Sequence, residues 1–409
     1  MFIYWFISVC LFSAQIEAKL LHRELVSAPQ NPLQICINAN QENDEVVTAL
    51  LPIIRFNLNL SGLIAVTTDQ CANQIKLSIN QSLMGTRSVE LQFLGNELSR
   101  LPNHKIPVPK LNDKHVINQY ANKITRTIHE YLTHHRGWHD RKIAFIATVN
   151  VDGENQYKLI MSNIDGSESK ELFTSHRPLI NPVFSPDSQK IALTEIGKKG
   201  TSIYIKEGKH DWEKISEESD LGLASSWSPD SQHLLIVNYQ MHNPSLLSYD
   251  TLSDNIKTLM PGWSLDCDPV WAKDNFIYLA SSRSGTPHIY RYELNKKLLE
   301  RITFQGDGNL SPSISKDRLT MAYIQKVKDE YRLMIHFFRN PSKPENVLSG
   351  LYLQDPKISD DGSWVLLTEK QGRRNVIGLI DTHGQTHIRL IAVEGQFNHP
   401  TWVPESWST

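Results

Sequence analysis

The sequence is short of the features that usually betray chemistry. Cysteine is scarce, with four in 409 residues. No Gly-x-Ser-x-Gly occurs, so the nucleophile elbow of a hydrolase is missing. Neither sign of charge is in excess: Lys+Arg 42 stand against Asp+Glu 44, a formal net charge of −2. That balance excludes the clustered basic excess of a nucleic-acid binder. Low-complexity tracts and long charge blocks are absent, so the chain reads as globular. Only residues 2–12 form a strongly apolar run, and about 11 residues are too few to span a bilayer. The run leads into Ser13-Ala14 and Ile16-Glu17-Ala18-Lys19. This reads as a secretory signal peptide over residues 1–18, cut near Ala18, which makes the mature chain a secreted one with no direct membrane insertion. No Lys or Arg precedes the run, which leaves a weak membrane anchor as the alternative.

Three cysteines remain after cleavage. Cys36 and Cys71 fall in one N-terminal region and could pair in an oxidising compartment. A bridge there would contribute about 3–4 kcal/mol by loop closure; two reduced, buried thiols are the alternative. Cys267 has no evident partner.

What the chain does have is repetition. Pro182-Val183-Phe184-Ser185-Pro186-Asp187 returns as Ser225-Ser226-Trp227-Ser228-Pro229-Asp230, and again at 269–274, 312–317, 356–361 and 400–405. The spacing is 43 or 44 residues. A fixed period of that length marks one supersecondary unit used repeatedly. Each unit continues with further short apolar strands, as in residues 190–193 and 202–205. Radial repetition of such strands builds a β-propeller. The sixth motif has nothing after it, while residues 142–174 hold three strands with no motif before them. Joined, they make a composite closing blade. The expected architecture is therefore two-domain: a small N-terminal α/β domain over residues 33–136, then a six-bladed β-propeller over residues 142–405.

The N-terminal region alternates like strands at residues 33–38, at Ile75, Leu77 and Ile79, and at Val89, Leu91 and Phe93. Asn43 is placed to cap a helix ending near Gly62, with Pro52 arguing against one unbroken helix. Asp113 is placed to cap a second helix carrying Ile117, Tyr120, Ile124, Ile128 and Leu132, which Gly137 would end.

Catalytic and metal motifs fail on spacing. His129-Glu130-Tyr131-Leu132-Thr133-His134 has zinc-protease residue types. Its second His comes five residues on, roughly 140° around a helix, so both are expected as surface polar residues. His135 and His139 flank Gly137 and lack a third ligand. Residues 197–202 hold P-loop residue types in the wrong order and read as a turn. The motif aspartates, such as Asp187 and Asp230, are expected to build turns, and the motif aromatics to pack between blades. No catalytic residue, metal or cofactor is expected.

The residues just before each motif enter the innermost strand and should ring one mouth of the central channel. They vary: Asn181, Ala224, Cys267 and Asp268, Ser311, Asp355, His399. Variable side chains on a repeated scaffold suit recognition.

The chain resembles the TolB family, periplasmic propeller components of the Tol–Pal envelope system. The resemblance rests on Ser-Pro-Asp at 185–187 and 228–230, Pro400-Thr401-Trp402, and residues 51–62. The helix over 115–133 running into 142–145, and the turn Asn163-Ile164-Asp165-Gly166, add to it. It spans residues 33–405 in the family's domain order. It implies a non-enzymatic adaptor whose propeller binds the lipoprotein Pal at a channel mouth. Leu221, Ala224, Cys267 and Asp268 best match the Pal-contacting positions, with Leu221 standing where the family usually has His. It also implies that the N-terminal segment engages TolA or other inner-membrane Tol proteins, although residues 19–25 match that family motif poorly. Two other readings stay open, a propeller for sugars or small ligands and a propeller hydrolase. Activity lost on changing Asp268 or His399 would favour the latter.

Overall fold

A computed structural model describes residues 21–40, 44–67, 71–82, 86–95, 98–111, 113–216, 222–239, 244–262, 264–339 and 343–407. The expected signal peptide, Asn43 and Leu221 lie outside the described residues.

The repeats fold into six antiparallel blades. Blade 1 runs Leu179–Phe184, Lys190–Ile196, Thr201–Glu207 and Glu213–Lys214. Blades 2 to 6 begin with Leu223–Trp227, Asp266–Ala272, Gly308–Ile314, Leu353–Ile358 and Gln396–Trp402. These first strands touch one another in turn around a closed ring, so the motif lines the axis. The last of them pairs antiparallel with Lys142–Val151, and Glu154–Asn163 and Lys170–Ser175 complete that blade. The composite closure leaves no terminal blade with an open inner edge.

Each motif residue has a structural duty. Ser185 Oγ donates to Asp187 Oδ1 and accepts from Lys190 N at 2.8 Å, tying the first strand to the second. Asp187 Oδ1 in turn accepts from Gln189 N two residues on. The same pattern recurs at Ser228 and Asp230, Ser315 and Asp317, and Ser359 and Asp361. Trp227 Nε1 donates to the Val183 carbonyl of blade 1, and Trp402 Nε1 to the Lys357 carbonyl of blade 5. The motif aromatics thus weld neighbouring blades. Trp271 Nε1 is buried without a partner. By the same register it should donate to Ser226, but the Ser226 side chain accepts from Trp271 N instead.

The N-terminal domain is a five-stranded sheet ordered Ile64–Thr67, Leu33–Ala39, Asn73–Gln81, Arg87–Gly95, His104–Pro107. Two helices, α1 (Glu45–Leu60) and α2 (Lys114–Thr133), share one apolar core with it. Asp44 caps α1, accepting from Val46 N at 2.8 Å, and Asp113 caps α2. Pro52 stays inside an unbroken α1. It lies on the exposed face, so the intrahelical bond that its missing N–H forgoes lies at the solvent side and not in the core. Gly62, at φ +71°, follows the helix end, where a Cβ would come within 2.9 Å of Ala28 Cβ.

A bond between Cys36 and Cys71 ties Leu33–Ala39 to the start of the neighbouring strand. Reducing it is expected to lower unfolding stability by about 3–4 kcal/mol, read from denaturant midpoints with and without reductant.

Two further expectations are corrected. His134 in the left-handed region, not Gly137, ends α2. His129 is not a surface residue: it is fully buried, because α2 presents it to the propeller, where its ring lies 5.4 Å from His139 and 6.3 Å from Trp364. His134 is exposed, as its position predicts.

An unforeseen element is the strand Leu21–Ser27, which joins blade 5 as a fifth strand against His387–Ala392. Leu21 is buried in a core shared with Leu60, Trp138, Phe145 and Trp364. Arg23 Nη2 donates to Asn57 Oδ1, and its guanidinium lies over Phe56 and Trp138. The first strand, α1, the linker and blades 5 and 6 therefore meet at one junction.

Candidate binding face at the channel mouth

The residues preceding the motifs converge on one mouth of the channel. Around the ring they join blades in pairs. Asn181 Nδ2 of blade 1 donates to the Ala224 carbonyl of blade 2. Ser311 N and Oγ of blade 4 donate to Asp268 Oδ2 of blade 3, at 3.2 and 2.8 Å. His399 Nδ1 of blade 6 lies 2.8 Å from Asp355 Oδ2 of blade 5.

The backbone explains the residue types. Asn181, Asp268, Ser311, Asp355 and His399 all have φ between 49° and 51°, at β-bulges that turn the chain into the channel. Asn, Asp and His tolerate this left-handed conformation better than most residues. Part of the apparent variation is thus a conformational requirement. Ala224 is the exception: blade 2 shifts register between Ala224 and Ser226, and Ala224 is fully buried.

Inside the mouth the channel narrows to a cavity of about 30 Å³ lined by Asn181, Asp268, Ser311, Asp355 and Lys357, room for about one water. Burial pushes the Asp268 carboxyl up, and Asp355 adds to the shift. Burial also pushes on Asp355, but the charge and hydrogen bond of His399, with Lys357, hold it below the usual carboxylate range. Asp355 is paired with His399, while Asp268 is held by Ser311, with Lys357 offsetting only part of its burial. Among the described residues, the contacts of His399 are Asp355 and, through its backbone N, Thr368; neither is a hydroxyl aligned on the imidazole for nucleophilic attack.

Cys267 is partly exposed at this mouth, and burial followed by the charges of Asp268 and Asp266 pushes its thiol up to about 12. It should react with iodoacetamide near pH 8 about tenfold or more slowly than a free thiol of ordinary pKa, measured by mass spectrometry over time.

Sequence reasoning missed the rim. Ile196, Tyr239, Leu265, Phe304, Leu351 and Val393 stand in the loops around this mouth, and they are 39 to 84% exposed. Among the described residues, the inner turns of the opposite face carry no exposed large apolar side chain. On the opposite face the exposed apolar residues Leu252, Ile256 and Leu298 stand at the outer turns, so around the channel itself apolar exposure lies on the mouth side, the mark of an interaction surface. The available signal was a lone apolar residue in an otherwise polar loop, as in Thr303-Phe304-Gln305-Gly306.

Comparison with known proteins agrees with this geometry. The family described as the TolB beta propeller domain matches residues 129–406. The Tol-Pal system protein TolB of Ruthia magnifica subsp. Calyptogena magnifica is 24% identical over 291 residues, covering 70% of this chain and 68% of that protein. Its counterpart in Xylella fastidiosa (strain 9a5c) is 29% identical over 287 residues, covering 69% of this chain but only 65%, less than two thirds, of that protein. The crystal structure of TolB from Acinetobacter baumannii superposes with a TM-score of 0.83 at 23% identity, covering 94% of this chain and 100% of that one. At that identity the likeness concerns the fold.

Proposed function

The chain belongs to the TolB β-propeller family, and from this premise we propose that it is a periplasmic, non-enzymatic adaptor of the Tol–Pal system. Its propeller binds the lipoprotein Pal over the channel mouth, through Asn181, Cys267, Asp268, Ser311, Asp355 and His399 and the apolar rim around them, while Ala224, fully buried, only supports the mouth from beneath. Its N-terminal region binds TolA or another inner-membrane Tol protein. The two contacts together support outer-membrane integrity and constriction at division.

The observation that carries this reading is the apolar rim encircling an acid-lined mouth. An apolar patch with a polar, well-ordered centre is the anatomy of a protein interface. The strand Leu21–Ser27 offers a route for coupling, because it lies on blade 5, whose innermost strand carries Asp355. A partner that draws this strand away alters the blade that holds one side of the mouth, and coupling of that kind is reciprocal.

The test is capture of the organism's own Pal by purified residues 19–409. A complex stable in low and moderate salt is expected. No complex at either salt overturns the reading.

A further inference from the structure

The face opposite the rim carries a second feature that the adaptor reading does not use. A cleft of about 610 Å³ lies between the N-terminal domain and the propeller, within the range of small-molecule sites and at the kind of domain boundary where they occur. Its walls include Arg126 from α2, Arg136 and Arg141 from the linker and Lys316 from the blade 4 turn. These are interleaved with the acids Asp140, Asp360, Asp361 and Glu405 and flanked by Trp402 and Trp407. It runs into a vestibule of about 270 Å³ at this end of the channel, with Lys316 and Trp402 shared between the two.

Four residues that line this cleft each carry a buried polar atom without a hydrogen-bond partner: Arg126 Nε, Arg141 Nε, Trp407 Nε1 and Asp140 Oδ1. Buried polar groups are almost always satisfied, so a group of orphans in one place calls for a reason. Three of the four are N–H donors, so what is missing is mainly an acceptor. Each guanidinium is held at one Nη atom: Arg126 by Asp140 at 3.0 Å, Arg136 by Glu405, Arg141 by Asp361. The fork of donors on each leaves capacity for an oxyanion. Burial raises the Asp140 carboxyl despite Arg126 and Arg136 beside it. The Arg141 guanidinium lies 5.1 Å from the Trp402 ring centroid, a flat wall beside the cation.

We infer that this cleft is a binding site for a small polyanion, recognised through its carboxylate or phosphoryl oxygens by Arg126, Arg136, Arg141 and Lys316. Such a ligand touches helix α2, the linker and the propeller at once. It therefore fixes the two domains against each other from the side opposite the rim. The inference does not depend on Pal binding.

The experiment is calorimetric titration of residues 19–409 with citrate and, separately, inorganic phosphate near neutral pH, with sodium chloride at matched ionic strength as control. Saturable binding of at least one anion is expected; citrate alone indicates a carboxylate ligand, phosphate alone a phosphoryl one. The double variant Arg126→Gln, Lys316→Gln should bind about tenfold or more weakly with an unchanged circular dichroism spectrum. Lys316→Gln alone, at an exposed turn whose ion pair with Asp360 is 3.8 Å long, covers the case in which the double variant fails to fold, and must also weaken binding. Heat no greater than the chloride control for both anions, or wild-type affinity in the folded variants, overturns the inference.

Discussion

Changing Phe304 and Leu351 together to Asp is expected to reduce affinity for Pal by about 100-fold or more. Both side chains stand on the rim, 71 and 84% exposed. Their removal therefore leaves the core untouched, and the melting temperature should stay within about 2 °C of wild type. The loss comes from two sources: apolar area no longer buried, and carboxylates desolvated against a partner with nothing to pair them. Leu252→Asp is the control, because Leu252 is 77% exposed but lies on an outer turn away from the mouth. Its affinity should match wild type when each protein is titrated with Pal by calorimetry. Equal losses in both variants would mean that the rim is not the docking face.

The second large effect is acid destabilisation centred on the domain junction. Burial lowers the pKa of His129 from 6.5 to about 4. Burial, then His129 and Arg23, lower that of His139 well below its usual value. Both are neutral in the folded protein. A depressed folded pKa gives stability that is fully present above the unfolded pKa near 6.5 and lost as pH falls through the folded value. His129 alone accounts for about 3 kcal/mol across that interval, and His139 acts in the same direction. Asp140 and Asp381, raised by burial, oppose the effect, since each favours the folded state as it takes up a proton. The histidines dominate between pH 6.5 and 4.

The site of the effect is specific. His139 stacks on Trp138 at 4.2 Å and its Nε2 donates to the Asn57 carbonyl, while Arg23 of the first strand bonds the Asn57 side chain. A proton on His139 adds a second cation beside buried Arg23. Cleavage by a protease active across the range should therefore appear first at residues 21–27 as pH falls from 7 to 4.5. Urea midpoints should drop over the same interval. His139→Phe should flatten both curves, and unchanged curves in that variant would refute the assignment.

The sequence carried the propeller well and the junction poorly, for a physical reason. Blade number and composite closure were legible because the motif returns at 43 or 44 residues and each copy solves the same local problem of turn and inter-blade contact. The N-terminal helix caps were legible to within one residue, since Asp113 caps α2 and Asp44 does what was expected of Asn43, whereas the end of α2 falls at His134 and not at Gly137. The burial of His129 was not, because it depends on a propeller surface that no local pattern in α2 encodes. Nor was the strand Leu21–Ser27, whose partner His387–Ala392 lies at the far end of the chain. The positions of the mouth residues followed from the repeat, whereas their left-handed backbone did not. In Asn181, Asp268, Ser311, Asp355 and His399 the bulge becomes visible only once the pairing register is known. The apolar rim escaped because one exposed Phe or Leu per loop has no periodicity, and only the closed ring sets those residues side by side.

The most direct test is hydrogen–deuterium exchange of residues 19–409 with and without Pal. Protection should gather in the loops of the rim, at residues 196–201, 264–266, 303–308, 350–353 and 392–396, with the Ser-Pro-Asp turns unaffected. Protection confined to those turns or to the outer strands, with the rim exchanging as in the free protein, would contradict the account.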